Sequence, residues 1–251
     1  MKTTKEKQSP KVIGIMMTYN CAEMIESTYR GLPKGVFSKV IVVDDGSSDN
    51  SVEVAKRLGL DVYTHKHGGY GANIKFGLKK TLSLGANYAV EIHGDGQYDQ
   101  SVVPAAIRKM ETGFDFLLGS RFTNLKQAIK DGMPFERYFA NLGLSFIDRI
   151  VLGVNLTEFH TGFRVYSRRL MESLKFQGTS DNYLYSFEII CQARFNNFKL
   201  GEVPMRCSYK TIHTSISIKK SIFYALGTFE ILAKYIIAKM GAKIKIFNGQ
   251  F

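Results

Sequence analysis

The chain has 251 residues, 45% of them hydrophobic, enough for one sizeable core or a core with a small lobe attached. It carries 34 Lys and Arg against 22 Asp and Glu, a net charge of +12, so its surface suits polyanions such as nucleotides, nucleic acid or acidic lipid. Three scattered cysteines, Cys21, Cys191 and Cys207, have no CxxC spacing, which excludes a disulfide framework or zinc site and fits a reducing, cytoplasmic compartment.

The opening MKTTKEKQSPK is polar and basic with no apolar run behind it, so no signal peptide is expected. From Val12 short apolar runs alternate with amphipathic stretches: VIGIMM predicts a strand, residues 22–29 a helix, and KVIVVDDGSSDNS a second strand ending on two carboxylates. Residues 40–43 are β-branched and unalternated, as in a strand buried on both faces of a parallel sheet. Asp49 or Ser51 caps a helix through Leu58, DVYTH is a short strand, and residues 70–84 place Ile74, Leu78 and Leu82 at helical spacing. YAVEI then ends in HGDGQYD, residues 102–110 read as a helix, and FDFLLGS is the next strand. This alternation predicts an α/β fold, a Rossmann-like, mostly parallel sheet with helices on both faces.

Beyond Arg121, residues 126–133 read as a polar loop, residues 135–152 and 183–195 as helices, and GEVPMRCSY as a strand. The last forty residues are mostly one apolar and basic helix. Its longest charge-free run, 221–229, is far shorter than the roughly 18 residues a bilayer crossing needs, so no transmembrane helix is expected.

Ligands of open α/β sheets sit outside the carboxyl ends of the strands. Three polar clusters fall there: Thr18-Tyr19-Asn20, Asp44-Asp45-Gly46-Ser47 and His93-Gly94-Asp95-Gly96-Gln97. Each alone is compatible with an ordinary turn; three in this order point to a site. Asp95 and Gln97 supply hard oxygens for a divalent cation that would offset charge on a nucleotide-diphosphate leaving group. The flanking glycines let a phosphate approach, and Asp44 or Asp45 accept hydrogen bonds from base or ribose. GGYGAN follows the third strand and lacks GxGxxG spacing, so it is no dinucleotide fingerprint; Gly71, Ala72 and Asn73 border sugar or diphosphate, or simply open a helix.

With MTYNCAEMIE, VIVVDDGSSDNS, GGYGANIKFGL, EIHGDGQYDQSVVP, LLGSRF, HTGFRVYSR and GEVPMRCSY in register from about Val12 to Lys220, the chain resembles the inverting GT-A glycosyltransferases of the second sequence family. Within it, the sequence is most similar to the dolichol-phosphate mannose synthase and polyprenyl-phosphate glycosyltransferase branch. The resemblance implies a GT-A fold, donor contacts from Thr18, Tyr19, Asn20, Asp44, Asp45, Gly71, Asn73 and Asp95, and Mg²⁺ or Mn²⁺ on the DxD-like pair Asp95 and Gln97. It puts Arg121 and Arg137 on the acceptor phosphate and makes Asp95, Arg121 and Arg137 the catalytic set. Three positions depart from the pattern: His93 replaces the first acid, Met17 a proline and Cys21 an acid. His93 is a metal ligand, a phosphate contact or a strand-end polar residue; Glu158, the acid before GFR, and His213 have no assigned role, and Arg164 supports the site.

A hydroxyl acceptor needs a general base, whereas a lipid phosphate, with a second pKa of about 6, arrives anionic and needs cations. The expected reaction is therefore inverting transfer from a GDP-mannose or UDP-glucose type donor to a polyprenyl or dolichyl phosphate. The rivals are transfer to a glycan hydroxyl and a sugar-phosphate nucleotidyltransferase; nucleic acid is not an expected partner. On a projection of residues 217–240, Lys219, Lys220, Glu230 and Lys234 share a polar arc while Ile218, Ile222, Phe229, Ile236 and Met240 form an apolar remainder. Such an amphipathic helix suits the cytosolic face of a membrane, the catalytic domain itself or a membrane-protein partner. The expected organisation is a polar tail at 1–11, a catalytic domain at 12–215 and an amphipathic C-terminal helix and tail at 216–251.

Overall fold

The structure, a computed structural model, describes residues 9–176, 178–209 and 218–248. His213 and the side chains of Ile218, Lys219 and Lys220 lie outside the described residues, as does most of the polar tail. The first half is the expected βα alternation: β1 Val12–Thr18, α1 Ala22–Arg30, β2 Lys39–Asp44, α2 Ser51–Arg57, β3 Asp61–Thr64, α3 Tyr70–Ser83, β4 Tyr88–His93, α4 Val103–Met110 and β5 Phe116–Ser120. Then come α5 Leu125–Lys130, α6 Phe135–Leu152, β6 Arg164–Ser167, α7 Arg168–Ser173, α8 Tyr185–Phe195, β7 Leu200–Pro204, α9 Ile218–Lys239 and α10 Lys245–Asn248.

The seven strands form one sheet in the order β3-β2-β1-β4-β6-β5-β7. Only β6 runs against the rest, pairing antiparallel with β4 and β5. Both faces are covered, which is why β1 reads as continuous hydrophobic sequence. Ile13, Ile15 and Met17 enter the core beneath α3 and α8, while Val12 and Met16 face the opposite layer with α1, α2 and α4.

Two readings need correcting. Residues 126–133 are not a loop, because α5 occupies most of that stretch. Asn124 Oδ1 caps it by accepting from Gln127 N, and Ala128 and Met133 pack with Phe122 and Tyr138 in a small satellite core. Nor is α9 too short or too charged to cross a bilayer: its segment Ser221–Lys239 passes by length and composition, with a mean hydropathy of 1.4. The charge-free-run criterion failed because Glu230 and Lys234 pair along the helix at 2.6 Å, so two charges interrupt an otherwise apolar segment.

A candidate donor and acceptor cleft at the sheet edge

The parallel strands end on one edge, and β6 begins there. Thr18, Asp44 and His93 terminate three neighbouring strands in register. Asp44 is buried, accepting from Thr18 Oγ1 at 2.9 Å, Ser47 Oγ at 2.5 Å and Ser47 N at 2.8 Å. Asp45, also buried, accepts from Gly68 N at 2.8 Å and Gly69 N at 2.9 Å and lies 2.9 Å from His67 Nδ1, so it fastens residues 65–69 across the edge. Gly46 has φ +71, and a Cβ there would stand 2.9 Å from His67 N, which is why the turn takes glycine.

Asn20, at φ 49, donates its backbone N–H to Ser47 Oγ and accepts from Ser48 N. Asn73 donates to Val43 O at 3.1 Å and meets His65 Nε2 at 3.0 Å. Thr18, Asp44, Asp45 and Asn73 are thus turned into the protein, where they shape the cradle. Tyr19 is the exposed member, its ring stacked on His67 with centroids 4.4 Å apart. Gly71 opens α3 against residues 180–182, and its N–H donates to Asp181 O at 2.8 Å.

Beyond β4, Gly94 passes so near β1 that a Cβ would come 2.7 Å from Met17 O, and Gly96 adopts φ +65. Half-buried Asp95, between them, accepts from Gln97 N at 3.0 Å through Oδ1. Among the described residues no three His, Cys, Asp or Glu gather to hold a metal, so a cation on Asp95 and Gln97 would complete its shell with phosphate and water oxygens, as magnesium-like ions do. His93 lies beneath: Nε2 is 3.1 Å from Gly162 O, and the ring packs against Tyr98 at 4.9 Å and Tyr70 at 5.8 Å. In this arrangement His93 brackets the strand end. Cys21, near Asp95, is buried, and burial pushes its thiol up to about 11, so it is not a thiolate nucleophile.

Of the two arginines expected on the acceptor phosphate, Arg121 stands at the far end of the edge. Arg121, just after β5, donates Nε to Glu158 Oε1 at 2.8 Å, its backbone N–H to Oε2 at 2.7 Å and NH1 to Tyr209 Oη at 2.8 Å; NH2 also pairs with Glu158. Burial pulls this guanidinium's pKa down, but Glu158 outweighs it and holds Arg121 well above its ordinary value. Arg121 lines an open cleft of about 360 Å³ with Asn124, Gln127 and Arg206. Arg137 sits half-buried in the first turn of α6.

Arg164, one row beneath His93, is completely buried and lies 3.9 Å from Glu91, whose carboxyl accepts from Tyr70 and Tyr166 and is raised by burial. The motif reading missed Glu158 as the partner of Arg121, and Tyr70, Tyr98 and Tyr209 around the two ends. Tyr209 closes GEVPMRCSY, but nothing in its local sequence says which strand end it faces.

Residues 15–175 match the family model described as Glycosyl transferase family 2. The UDP-N-acetylglucosamine–dolichyl-phosphate N-acetylglucosaminyltransferase of Methanococcus voltae is 30% identical over 246 residues, 90% of this chain and 95% of that protein. An uncharacterized protein of Methanocaldococcus jannaschii is 30% identical over 237 residues, 94% of this chain and 95% of that one. The polyprenol monophosphomannose synthase of Mycolicibacterium smegmatis is 24% identical over 221 residues, covering 83% and 82%. Among solved structures, glucosyl-3-phosphoglycerate synthase from Mycobacterium tuberculosis, in complex with Mn²⁺, UDP and glucosyl-3-phosphoglycerate, aligns with a TM-score of 0.63 at 17% identity, covering 90% and 80%; that likeness is one of fold.

Proposed function

The chain belongs to glycosyl transferase family 2, and from that premise we propose that it moves a sugar, with inversion, from a nucleotide-diphosphate sugar to the phosphate of a polyprenyl or dolichyl phosphate. The supporting observation is the state of the carboxylates. An alcohol acceptor needs a carboxylate free to take its proton, but Asp44, Asp45, Glu91 and Glu158 are all buried in hydrogen bonds or ion pairs inside the protein, and Asp95 is assigned to the cation, which leaves that role to exposed Asp99 in the Arg121 cleft. A phosphate monoester is anionic at neutral pH and needs no base. One relative is named as a transferase to dolichyl phosphate and another as a synthase of polyprenol monophosphomannose, which agrees with this choice.

In this reading a phosphate oxygen of the acceptor attacks the anomeric carbon. The bond from that carbon to the diphosphate oxygen breaks, and its electron pair leaves with the nucleoside diphosphate. Arg121, kept charged by Glu158, and Arg137 hold the acceptor phosphate in line. The cradle braced by Thr18, Asp44, Asp45 and Asn73 seats the nucleotide, with Tyr19, Asn20 and Gly71 at its rim. Asp95 and Gln97 would hold Mg²⁺ or Mn²⁺, which when bound offsets charge on the leaving diphosphate. That Mn²⁺ and UDP occur together in a protein of the same fold is consistent with this assignment. The enzyme works peripherally on the cytosolic face of a membrane, where its acceptor resides.

The test is a panel of radiolabelled GDP- and UDP-sugars incubated with polyprenyl phosphate, with and without chelator. Label should enter the lipid phase with one donor, stop on chelation, and be nearly absent for a folded Asp95→Asn variant. Undiminished transfer by folded Asp95→Ala protein would refute the metal assignment. Label appearing only on glycan hydroxyls would refute the acceptor.

A further inference from the structure

Helix α6 has a face that the cleft does not use. Phe135, Phe139, Phe146 and Ile150, spaced i, i+4, i+11 and i+15, return to one side of the helix and are 61–66% exposed. Tyr138, Ser145, Asp148 and Leu152 occupy the buried side. The apolar stripe runs about 22 Å at 1.5 Å per residue. Helix α9 touches α6 and adds Ile222, Phe223 and Leu226, all more than half exposed. So large an apolar surface calls for an occupant.

We propose that α6, together with the N-terminal half of α9, lies in the boundary between headgroups and acyl chains of an anionic bilayer. The inference rests on the lipid-phosphate reading, since a prenyl chain that stays in the bilayer obliges the phosphate site to come to it. Two observations favour a bilayer over a protein. Lys126 and Lys130 are exposed on α5, which packs on α6, and supply cations on the neighbouring helix, as anionic headgroups require. In α9, Thr228, Ile231, Leu232, Tyr235 and Ala238 are buried against the domain, so the helix lies along the body and offers its other side sideways.

The chain has no tryptophan, so Phe139→Trp and Phe146→Trp each introduce a single reporter, with Arg57→Trp on α2 as control. With vesicles of phosphatidylcholine and phosphatidylglycerol, emission at both α6 positions should shift to the blue and be quenched by brominated acyl chains; the control should do neither. The double variant Phe146→Ser/Ile150→Ser should bind vesicles about a hundredfold more weakly, roughly tenfold per side chain. It should still transfer to a short-chain, water-soluble prenyl phosphate. Indoles at α6 that stay water-exposed on vesicles would overturn the proposal, as would a lipid-free blue shift accompanied by a dimer or a bound protein partner. Vesicle binding through α6 without any transfer to prenyl phosphate would uphold this surface and overturn the acceptor reading instead.

Discussion

Glu158→Gln separates a clamp from a catalyst. Glu158 is fully buried and accepts from the Arg121 backbone at 2.7 Å and Nε at 2.8 Å, with NH2 also paired to it. The amide keeps the shape but loses the charge and turns an NH₂ group toward donors. Removing one partner of a buried pair costs about 3–5 kcal/mol. Tyr209 still bonds NH1, and the Arg121 side chain keeps 9% of its surface in water, so the low end, about 3 kcal/mol, applies. In a chain of this size each kcal/mol moves the melting temperature by roughly 2–4 °C, which makes the expected drop about 6–12 °C in thermal unfolding followed by circular dichroism. In steady-state transfer to polyprenyl phosphate, the acceptor KM should rise about tenfold, with kcat changed less and its pH profile retained. Both proteins should lose rate below about pH 6, where the acceptor phosphate protonates. A variant as stable as the parent would refute the clamp. So would a kcat loss of about 10²–10⁴ together with a change in the acid-side limb beyond that of the acceptor phosphate, which is the signature of a general base.

Three further outcomes follow from the packing. Burial would raise the Asp115 carboxyl, but hydrogen bonds from Arg169 and Lys199 N outweigh it and hold the group below its usual 3.8. Its stabilisation is therefore complete above pH 3.8 and lost as pH falls through the lower folded value. Asp115→Asn should melt lower by about 1–3 kcal/mol at pH 7, and the gap should close only in acid. A Cβ on Gly71 would stand 2.7 Å from Ser180 O and 2.8 Å from Asn182 O, so Gly71→Ala should cost about 1–3 kcal/mol and raise the donor KM; unchanged donor kinetics would detach Gly71 from the site. His160 lies 2.9 Å from Asp148 on α6 and bonds Tyr224 on α9 at 3.0 Å. His160→Leu should leave Asp148 buried without its partner and speed hydrogen exchange in α9, whereas exchange confined to residues 157–163 would show that the two helices are held by other contacts.

The fold was legible wherever burial imposes a period or a β-branched run. Val40, Ile41, Val42 and Val43 announced a central strand, and α6 was bounded by the Pro134 entry and the left-handed Gly153 exit. Strand β6 was not legible, because a four-residue segment containing a buried arginine carries no strand signature; Arg164 is tolerated only because Glu91 sits in the adjacent strand. The polar text of α5 concealed a helix whose satellite core depends on Tyr138, which lies beyond Pro134 on α6. At the site, the sequence brought the right strand ends together but could not distinguish residues that face a ligand from residues that brace a turn. Asp44 and Asp45 are braces here because Ser47, Gly68 and Gly69 supply donors across the edge. The Glu158–Arg121 pair joins positions 37 apart, and no local pattern encodes that pairing.

The most direct measurement offers polyprenyl phosphate, the corresponding free polyprenol and a sugar hydroxyl in competition for one labelled nucleotide sugar. Label should go to the phosphate alone, in a mild-acid-labile linkage. Label on either alcohol at a comparable rate would contradict transfer to the lipid phosphate.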